Sequence, residues 1–185
     1  FPRWPELGQA DFLSPEGYEA VYMTNAYTRH GEHGNALLSR WPVLGSGHAD
    51  VSDHRFEQRG LLHVQLLVEE QVVHVVVVHL GLIHASCERQ VMRLGAFIDR
   101  EVPEHEPLIV AGDFNDWRMR GHGLVEACGL VEAFIASNGR PARTFPSRHP
   151  LLTLDRIYLR GARASDPRVL KARPWSRLSD HAPLL

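Results

Sequence analysis

A short apolar run that ends in an acid and an amide constrains this chain more than any other feature. Residues 108–111 are continuously apolar, which is typical of a strand buried on both faces. Gly112 lets the backbone turn, and Asp113 and Asn115 follow two residues apart. Because open α/β sheets bind ligands beyond the carboxyl ends of their strands, this run predicts a site for a divalent metal or a phosphoryl group. An Asx-rich turn after a strand is the alternative interpretation.

Other apolar segments of the chain also carry an acid or an imidazole at one end. These residues are His79, Asp155, Asp180 and His181. Each has an ordinary structural explanation, such as a solvated strand end. Several strand ends that all carry Asp, Asn or His are harder to attribute to turn chemistry. Side chains of these types supply metal ligands, a general base and an Asp–His pair.

Composition limits the class of protein. A chain of 185 residues with 44% hydrophobic residues predicts one domain with a substantial core. It has no apolar run long enough to cross a membrane. Cys87 and Cys128 lack the spacing of a zinc site or a disulfide framework, which favours a cytoplasmic setting. A formal net charge of −2 and a single lysine, Lys171, argue modestly against binding of long duplex DNA.

Hydrophobic patterning predicts the order of the elements. Strands are expected at 18–25, 35–40, 61–69, 72–80, 155–159, 168–173 and 182–185. A helix is expected over 87–101, with Ser86 as its N-cap and Pro103 just past its end, and a shorter helix near 122–128. Strands in hairpins with a few interspersed helices predict two packed sheets with helices outside.

The chain also contains a series of short motifs in a characteristic order. They are Gly34-Asn-Ala-Leu-Leu-Ser-Arg40, Arg59-Gly60, His79-Leu-Gly81, Gly112-Asp-Phe-Asn115, Leu154-Asp-Arg-Ile157 and Ser179-Asp-His181. Together they resemble the endonuclease/exonuclease/phosphatase superfamily, and most closely its small stand-alone bacterial members. The resemblance covers nearly the whole chain. It implies one domain over residues 1–185 with the DNase I-like fold, a four-layer α/β/β/α sandwich of two mostly antiparallel sheets.

The resemblance implies roles in phosphate binding and in activation of water. Asp113 would orient or deprotonate the attacking water, while Asn115 and His79 would donate hydrogen bonds to phosphoryl oxygens. Arg40 is a further candidate for phosphate binding, although an arginine that ends a strand is equally often structural. Trp117, just after the site loop, either stacks on a base or sugar or caps the surface.

The resemblance also implies an Asp–His dyad and a metal ion. Asp155 would hold the imidazole of His181 in one tautomer, so that the ring contacts the scissile phosphate or relays a proton. Asp180 and Asp113 would lie on the metal side of the site. Magnesium or manganese suits such oxygen ligands better than zinc.

The start of the chain departs from the pattern of the superfamily. Members begin with a strand that carries an Asn, then a helix, then a second strand that ends in Gln-Glu, and this Glu is the principal metal ligand. This chain opens at Phe1-Pro-Arg-Trp-Pro5, which resembles the segment just after Gln-Glu. We interpret Glu6 and Glu16 as surface residues. We therefore expect the chain to lack the first strand–helix–strand of the domain, and to bind magnesium weakly on its own.

These residues suit hydrolysis of a phosphate ester by direct attack of water, since no Ser or Cys lies in a recognisable nucleophile elbow. The substrate would be a small molecule, a lipid headgroup or a nucleic acid, because the fold does not choose among them. A non-catalytic interaction module that has lost its metal site is the alternative. We expect a monomer.

Overall fold

The computed structural model describes residues 8–29, 31–54 and 57–185 of the chain. Glu6 therefore lies outside the described residues, whereas Glu16 is exposed as expected. The elements follow in the order α1 (Gln9–Leu13), β1 (Glu19–Thr28), β2 (Gly31–Ser39), β3 (Val43–Asp50), β4 (Gly60–Val68), β5 (Gln71–His79), α2 (His84–Glu101), β6 (Leu108–Asp113), α3 (His122–Glu126), β7 (Val131–Glu132), α4 (Ala133–Asn138), β8 (Asp155–Arg160) and α5 (Trp175–Leu178).

These strands form two sheets. β1 and β2 make a two-stranded hairpin sheet, and the other strands make a six-stranded sheet in the order β3-β4-β5-β6-β8-β7. In the described part of the chain, every neighbouring pair of strands is antiparallel except β5 and β6. A parallel pair needs a crossover connection, and α2 supplies it. The predicted fold class, α/β with two mostly antiparallel sheets, is confirmed.

The six-stranded sheet is covered on both faces. On one face, Val76 and Val110 pack against Leu94 of α2. On the other face, Val64 packs against Val21 of the hairpin sheet. Strands that are buried on both sides have no solvent-facing row of side chains. This explains why β5 and β6 are mainly apolar and do not alternate between apolar and polar residues.

Helix α2 begins earlier than the sequence suggests, at His84 with Ile83 at the N-cap position. The prediction that Ser86 caps this helix is therefore wrong. Ser86 is buried inside the first turn, and its hydroxyl donates to Asp53 Oδ2 at 2.7 Å. Arg89 donates to the same carboxylate from Nε and Nη2, at 2.7 and 2.6 Å. An acid from a distant loop thus stabilises the positive end of the helix dipole.

The C-terminal segments are less regular than predicted. The strands expected at 168–173 and 182–185 are reduced to a single bridge between Val169 and Leu184. Two backbone bonds flank this bridge, from Arg168 N to the carbonyl of Leu185 at 2.7 Å and from Leu170 N to the carbonyl of Pro183 at 2.9 Å. These contacts hold the last residues of the chain beside the rest of the domain.

Candidate active site

A cleft of about 670 Å³ opens where β5 and β6 end and β8 begins. Strand register explains why polar residues meet there. His79 pairs with Asp113 across the parallel strands, and Asp113 pairs with Asp155 across the next pair. These three residues, far apart in sequence, therefore form one row across the sheet. All of the predicted site residues except Arg40 line the cleft, namely His79, Asp113, Asn115, Asp155, Asp180 and His181.

Asp155 and His181 form a hydrogen-bonded pair. His181 Nδ1 donates to Asp155 Oδ2 at 2.7 Å, and the ring of Phe145 lies beside the imidazole with its centroid at 5.0 Å. Burial opposes the charged imidazolium. The hydrogen bond and the negative charge of Asp155 outweigh it, so the pKa of His181 is raised above its ordinary value. The pair thus keeps a proton on Nδ1 of His181 and leaves Nε2 for contact with a ligand.

Asp113 is a largely enclosed carboxylate. Its Oδ1 accepts a hydrogen bond from the backbone N–H of Asn115 at 2.8 Å, and 17% of its side chain is exposed. Burial raises the pKa of Asp113. The Asn115 N–H opposes this rise, whereas the nearby Asp155 carboxylate adds to it. A carboxylate with a raised pKa binds a proton more tightly, which makes Asp113 a better base than an exposed aspartate.

The backbone from Gly112 to Asn115 turns sharply. Gly112 has φ +141°, and a Cβ there would lie 2.0 Å from the carbonyl oxygen of Val78, so no other residue fits. Asn115 has φ +50°, a left-handed conformation that Asn tolerates better than most residues. Its carboxamide donates to the carbonyl of Leu80 at 2.8 Å. The second N–H of the carboxamide remains for another acceptor.

Two residues that the sequence analysis did not single out hold this loop in place. Asp116 is buried, and its carboxylate accepts hydrogen bonds from the N–H groups of Arg120 and Gly121, at 3.1 and 2.7 Å. Arg156 is also buried, and its guanidinium donates to the backbone carbonyl of Asp116. Since Arg156 directly follows Asp155, one segment of β8 supplies the dyad acid and anchors the loop that carries Asn115.

Arg59 is a third residue of the site region to which the sequence assigns no role. It lines the cleft, and its Nη2 lies 3.3 Å from Glu57 Oε1, which also accepts from the N–H of Leu82 at 3.0 Å. Arg59 stands in the Arg59-Gly60 motif, but nothing in the local pattern distinguishes it from an ordinary surface arginine. The fold brings its positive charge to the cleft.

His79 lies near Arg59 and Asp113. Its Nε2 is 3.7 Å from Asp113 Oδ2, which is too long for a hydrogen bond. Although 48% of the side chain stays exposed, partial burial of the ring, and then the charge of Arg59, lower the pKa of His79. His79 is therefore neutral near pH 7, with one ring N–H to donate.

The structure corrects the prediction for Arg40. Its guanidinium lies over the ring of Trp41, with 5.5 Å between the guanidinium carbon and the ring centroid. The carbonyl of Pro42 accepts from the N–H of Leu67, at the end of β4 opposite to the cleft. Arg40 follows β2 at that far end of the sheet, so it does not reach the other predicted site residues.

Trp117 does line the cleft, and its side chain is 52% exposed. The guanidinium of Arg118 lies over its ring, 4.5 Å from the centroid. Both interpretations made from the sequence, stacking on a ligand and capping of the surface, are compatible with this position.

A metal ion fits the described residues only in part. Over residues 8–29, 31–54 and 57–185, no group of three or more His, Cys, Asp or Glu side chains is arranged to hold one. Asp113 and Asp180 face the same cleft, but one oxygen of Asp113 already accepts the N–H of Asn115. Magnesium requires nearly octahedral oxygen coordination and keeps its waters tightly. These two carboxylates alone do not complete such a site.

We accordingly expect this chain to bind magnesium weakly. Two carboxylates would hold the ion mostly through its own waters, so a titration with magnesium chloride followed by calorimetry should show a dissociation constant in the millimolar range, about 1 mM or weaker. Asp180→Asn should weaken binding further, whereas Asp166→Asn, an exposed acid outside the cleft, should not. Micromolar binding by the unaltered chain would contradict this expectation.

The chain belongs to the endonuclease/exonuclease/phosphatase family, whose sequence profile matches residues 3–181. It is 44% identical over 186 residues to the uncharacterized protein YbhP of Escherichia coli (strain K12), an alignment that covers 98% of this chain and 73% of that protein. The resemblance inferred from the motifs is thus confirmed.

Two solved structures show the same fold. The mannosyl-6-phosphatase of Bacteroides thetaiotaomicron superposes with a TM-score of 0.74 at 16% identity, over 91% of this chain and 76% of that chain. Humanized TDP2 of D. rerio superposes with a TM-score of 0.72 at 19% identity, over 91% of this chain and 75% of that chain. The DNase I-like fold is therefore shown. No helix in the described part of the chain is long and apolar enough to cross a membrane.

Proposed function

We propose that the protein hydrolyses phosphate esters by direct attack of water at this cleft. One observation carries the proposal. A hydrogen-bonded Asp155–His181 pair and the enclosed Asp113 carboxylate face the same 670 Å³ cleft as the Arg59 guanidinium. An anionic ester resists attack by water unless a base, positive charge and hydrogen-bond donors are held around it. The cleft brings together side chains of all three kinds.

Asp113 is the base in this proposal. Burial raises the pKa of Asp113, which brings its affinity for protons closer to that of the attacking water than an exposed carboxylate would be. Its second oxygen, Oδ2, has no hydrogen-bond donor within the described residues. That oxygen orients the water and accepts its proton.

The remaining side chains bind the phosphoryl group. The raised pKa of His181 favours its protonated form, which donates from Nε2, and the neutral His79 donates from its ring. Asn115 donates its second amide N–H, and Arg59 supplies a permanent positive charge. These groups stabilise the negative charge that develops on the oxygens during attack.

Charge balance supports magnesium or manganese as the cofactor. The carboxylates of Asp113, Asp155 and Asp180 face the cleft together with the guanidinium of Arg59 and the imidazole of His181. An anionic ester adds further negative charge. A divalent cation with oxygen ligands would offset it. The described residues of the cleft do not supply a complete set of ligands for that ion.

The substrate in this proposal is a small phosphate ester, and the protein acts as a monomer in the cytoplasm. The structural neighbours include a mannosyl-6-phosphatase and a TDP2 protein complexed with a single-strand DNA product. The net charge of −2 favours a small phosphate ester over long duplex DNA, which is bound mainly through Lys and Arg.

Turnover of para-nitrophenyl phosphate and bis(para-nitrophenyl) phosphate at saturating magnesium tests the reaction. Hydrolysis in isotopically labelled water should place the label in the released phosphate, because water attacks phosphorus directly. Absence of turnover in the unaltered protein, with retained phosphate binding in the cleft, would favour the alternative of a non-catalytic interaction module. The lack of a complete metal cluster among the described residues is the observation that keeps this alternative.

Duplex DNA should bind weakly and with strong dependence on salt. The few cations available would neutralise only a few phosphates, so affinity at physiological salt is expected in the non-specific range, about 10⁻⁴ to 10⁻⁶ M, and should fall further as salt is raised. Fluorescence anisotropy with a labelled duplex at several salt concentrations measures both properties. Tight, salt-resistant binding would overturn the preference for small esters.

A further inference from the structure

We propose that a second, basic pocket beside the cleft binds a phosphate group that the substrate carries in addition to the ester that is hydrolysed. This inference rests on the proposed function. The pocket has a volume of about 770 Å³, and its cationic side chains are Arg140, Arg143, Arg168 and Lys171. No acidic side chain is among the described residues that line it. In a protein with a net charge of −2, this is a pronounced local excess of positive charge.

The positive charges of this pocket are available to a ligand. Within the described residues, Arg140, Arg143 and Lys171 form no ion pair or side-chain hydrogen bond. Arg168 Nε lies 3.3 Å from Asp166 Oδ2, but both side chains are more than half exposed, so water and salt weaken this pair. Like charges around one cavity repel each other, and an anion that binds among them relieves this repulsion.

Three other arginines of the chain are held by structural partners. Arg89 forms a bidentate pair with Asp53, Arg156 is buried against a backbone carbonyl, and Arg160 donates to the carbonyl of Pro103 at 2.9 Å. The basic pocket therefore differs in kind from these structural arginines. Within the described residues, three of its four cations have no acidic partner, and the fourth, Arg168, has only the exposed Asp166.

The frame that carries these cations is well packed. Phe134 and Ala142, which are 2% and 5% exposed, form the floor together with Val169. The walls include Pro141, Pro150 and Pro167. Proline fixes its own φ angle, and the backbone bonds from 168 and 170 to the last residues hold the opposite wall. The pocket is thus formed before any ligand binds, which lowers the entropic cost of binding.

One hairpin separates this pocket from the catalytic cleft. Phe145 and Leu152 are bridge partners that line the cleft, while Arg143 and Pro150, each two residues earlier, line the basic pocket. Two residues of extended chain span about 7 Å. The carbonyl of Thr144 also accepts from the N–H of Ala182 at 2.8 Å, next to His181. A molecule with one phosphate in the cleft and a second phosphate a short distance away therefore fits this arrangement.

Nuclear magnetic resonance with inorganic phosphate as the probe tests the pocket without any need for catalysis. The amide signals of residues 140–143 and 168–171 should shift and saturate as phosphate is added. In the double variant Arg140→Gln/Lys171→Gln the dissociation constant for these shifts should rise at least about tenfold, since two charged contacts are lost. Arg29→Gln, an exposed arginine at the β1–β2 turn, is the matched control and should behave like the unaltered protein. Absent shifts, or equal shifts in the double variant, would overturn the proposal.

Specificity tests whether the second phosphate belongs to the substrate. The ratio of kcat/KM for a sugar bisphosphate to that for the matching sugar monophosphate should fall about tenfold in the double variant and persist in Arg29→Gln.

If the loss instead appears with a single-stranded oligonucleotide, the second phosphate comes from a nucleic acid backbone. If phosphate binds the pocket but neither ratio changes, the pocket does not serve the substrate and the proposal fails. If no ester is hydrolysed at all, the proposed function fails, whereas the resonance experiment still decides whether the pocket binds phosphate.

Discussion

Asp155→Asn is expected to lower phosphoesterase activity at saturating magnesium by about 10³- to 10⁴-fold, with little change in melting temperature. Asp155 Oδ2 accepts from His181 Nδ1 at 2.7 Å. An asparagine there either presents its N–H₂ to Nδ1, which selects the opposite tautomer, or keeps the tautomer without its negative charge. In both cases the imidazolium loses the partner that stabilises it. Steady-state kinetics with bis(para-nitrophenyl) phosphate and thermal unfolding measure the two quantities.

His181→Ala should cost about as much as Asp155→Asn, and the two losses should be far from additive. Residues that act as a unit show this behaviour, because removal of one leaves little for the other to contribute. Asp99→Asn, which removes an exposed acid of α2 outside the cleft, is the control and should retain activity. A double variant that loses the product of both single fold-changes would show that Asp155 and His181 act independently.

The dyad also has a signature that does not depend on turnover. The hydrogen bond and charge of Asp155 raise the pKa of His181 against the opposing effect of burial. In Asp155→Asn, burial acts with less opposition, so the pKa of His181 should fall below that in the unaltered protein. Titration of the imidazole by nuclear magnetic resonance measures this difference. An unchanged pKa would mean that the carboxylate does not stabilise the imidazolium.

Strand patterning in the sequence predicts which polar side chains the sheet brings close together. His79, Asp113 and Asp155 each stand at the end of an apolar strand, and these three strands are neighbours in one sheet. Once the strands are placed correctly, register brings the three residues together. The order of the motifs identifies the family for the same reason, since the motifs mark the strand ends.

Prediction from sequence fails where a partner distant in the chain determines the structure. β3 (Val43–Asp50) contains two glycines and no regular apolar alternation, and it becomes a strand because it pairs with β4 along the edge of the sheet. The local sequence of neither Arg40 nor Arg59 shows whether it reaches the cleft. Arg59 does so because it directly precedes β4, at the end of the sheet where the cleft opens, whereas Arg40 follows β2 at the opposite end.

The sequence also does not show which charged residues are buried. Asp116 and Arg156 read as ordinary polar residues next to a motif, yet they are 4% and 1% exposed. Asp116 accepts the backbone N–H of Gly121 within the same loop, and Arg156 of β8 donates to the backbone carbonyl of Asp116, so these bonds hold the loop after β6 in place. Such hydrogen-bond networks form only when the chain has folded, so no spacing pattern in the sequence predicts them.

Asp113→Asn is expected to reduce activity by about 10²- to 10⁴-fold, because the carboxamide cannot accept the proton of the attacking water. Its carbonyl oxygen can still accept the N–H of Asn115, so the loop after β6 should keep its conformation. In the unaltered protein, activity should fall on the acid side as Asp113 becomes protonated. An ordinary aspartate has a pKa of about 4. Because burial raises the pKa of Asp113, this loss of activity should begin at a higher pH than an ordinary aspartate would cause.

Stability should respond to Asp113→Asn in the opposite direction from activity. The folded protein binds the proton of Asp113 more tightly than the unfolded chain does, because the pKa of Asp113 is raised by burial. The protonated Asp113 side chain therefore stabilises the folded protein at low pH, and this contribution is lost as the pH rises through the pKa of Asp113 in the folded state. At neutral pH the buried, ionised carboxylate is a cost to folding, and the neutral carboxamide removes that cost. Thermal unfolding at neutral pH should thus show an equal or higher melting temperature for the variant, and a lower melting temperature together with the loss of activity would mean that Asp113 is a structural residue rather than the base.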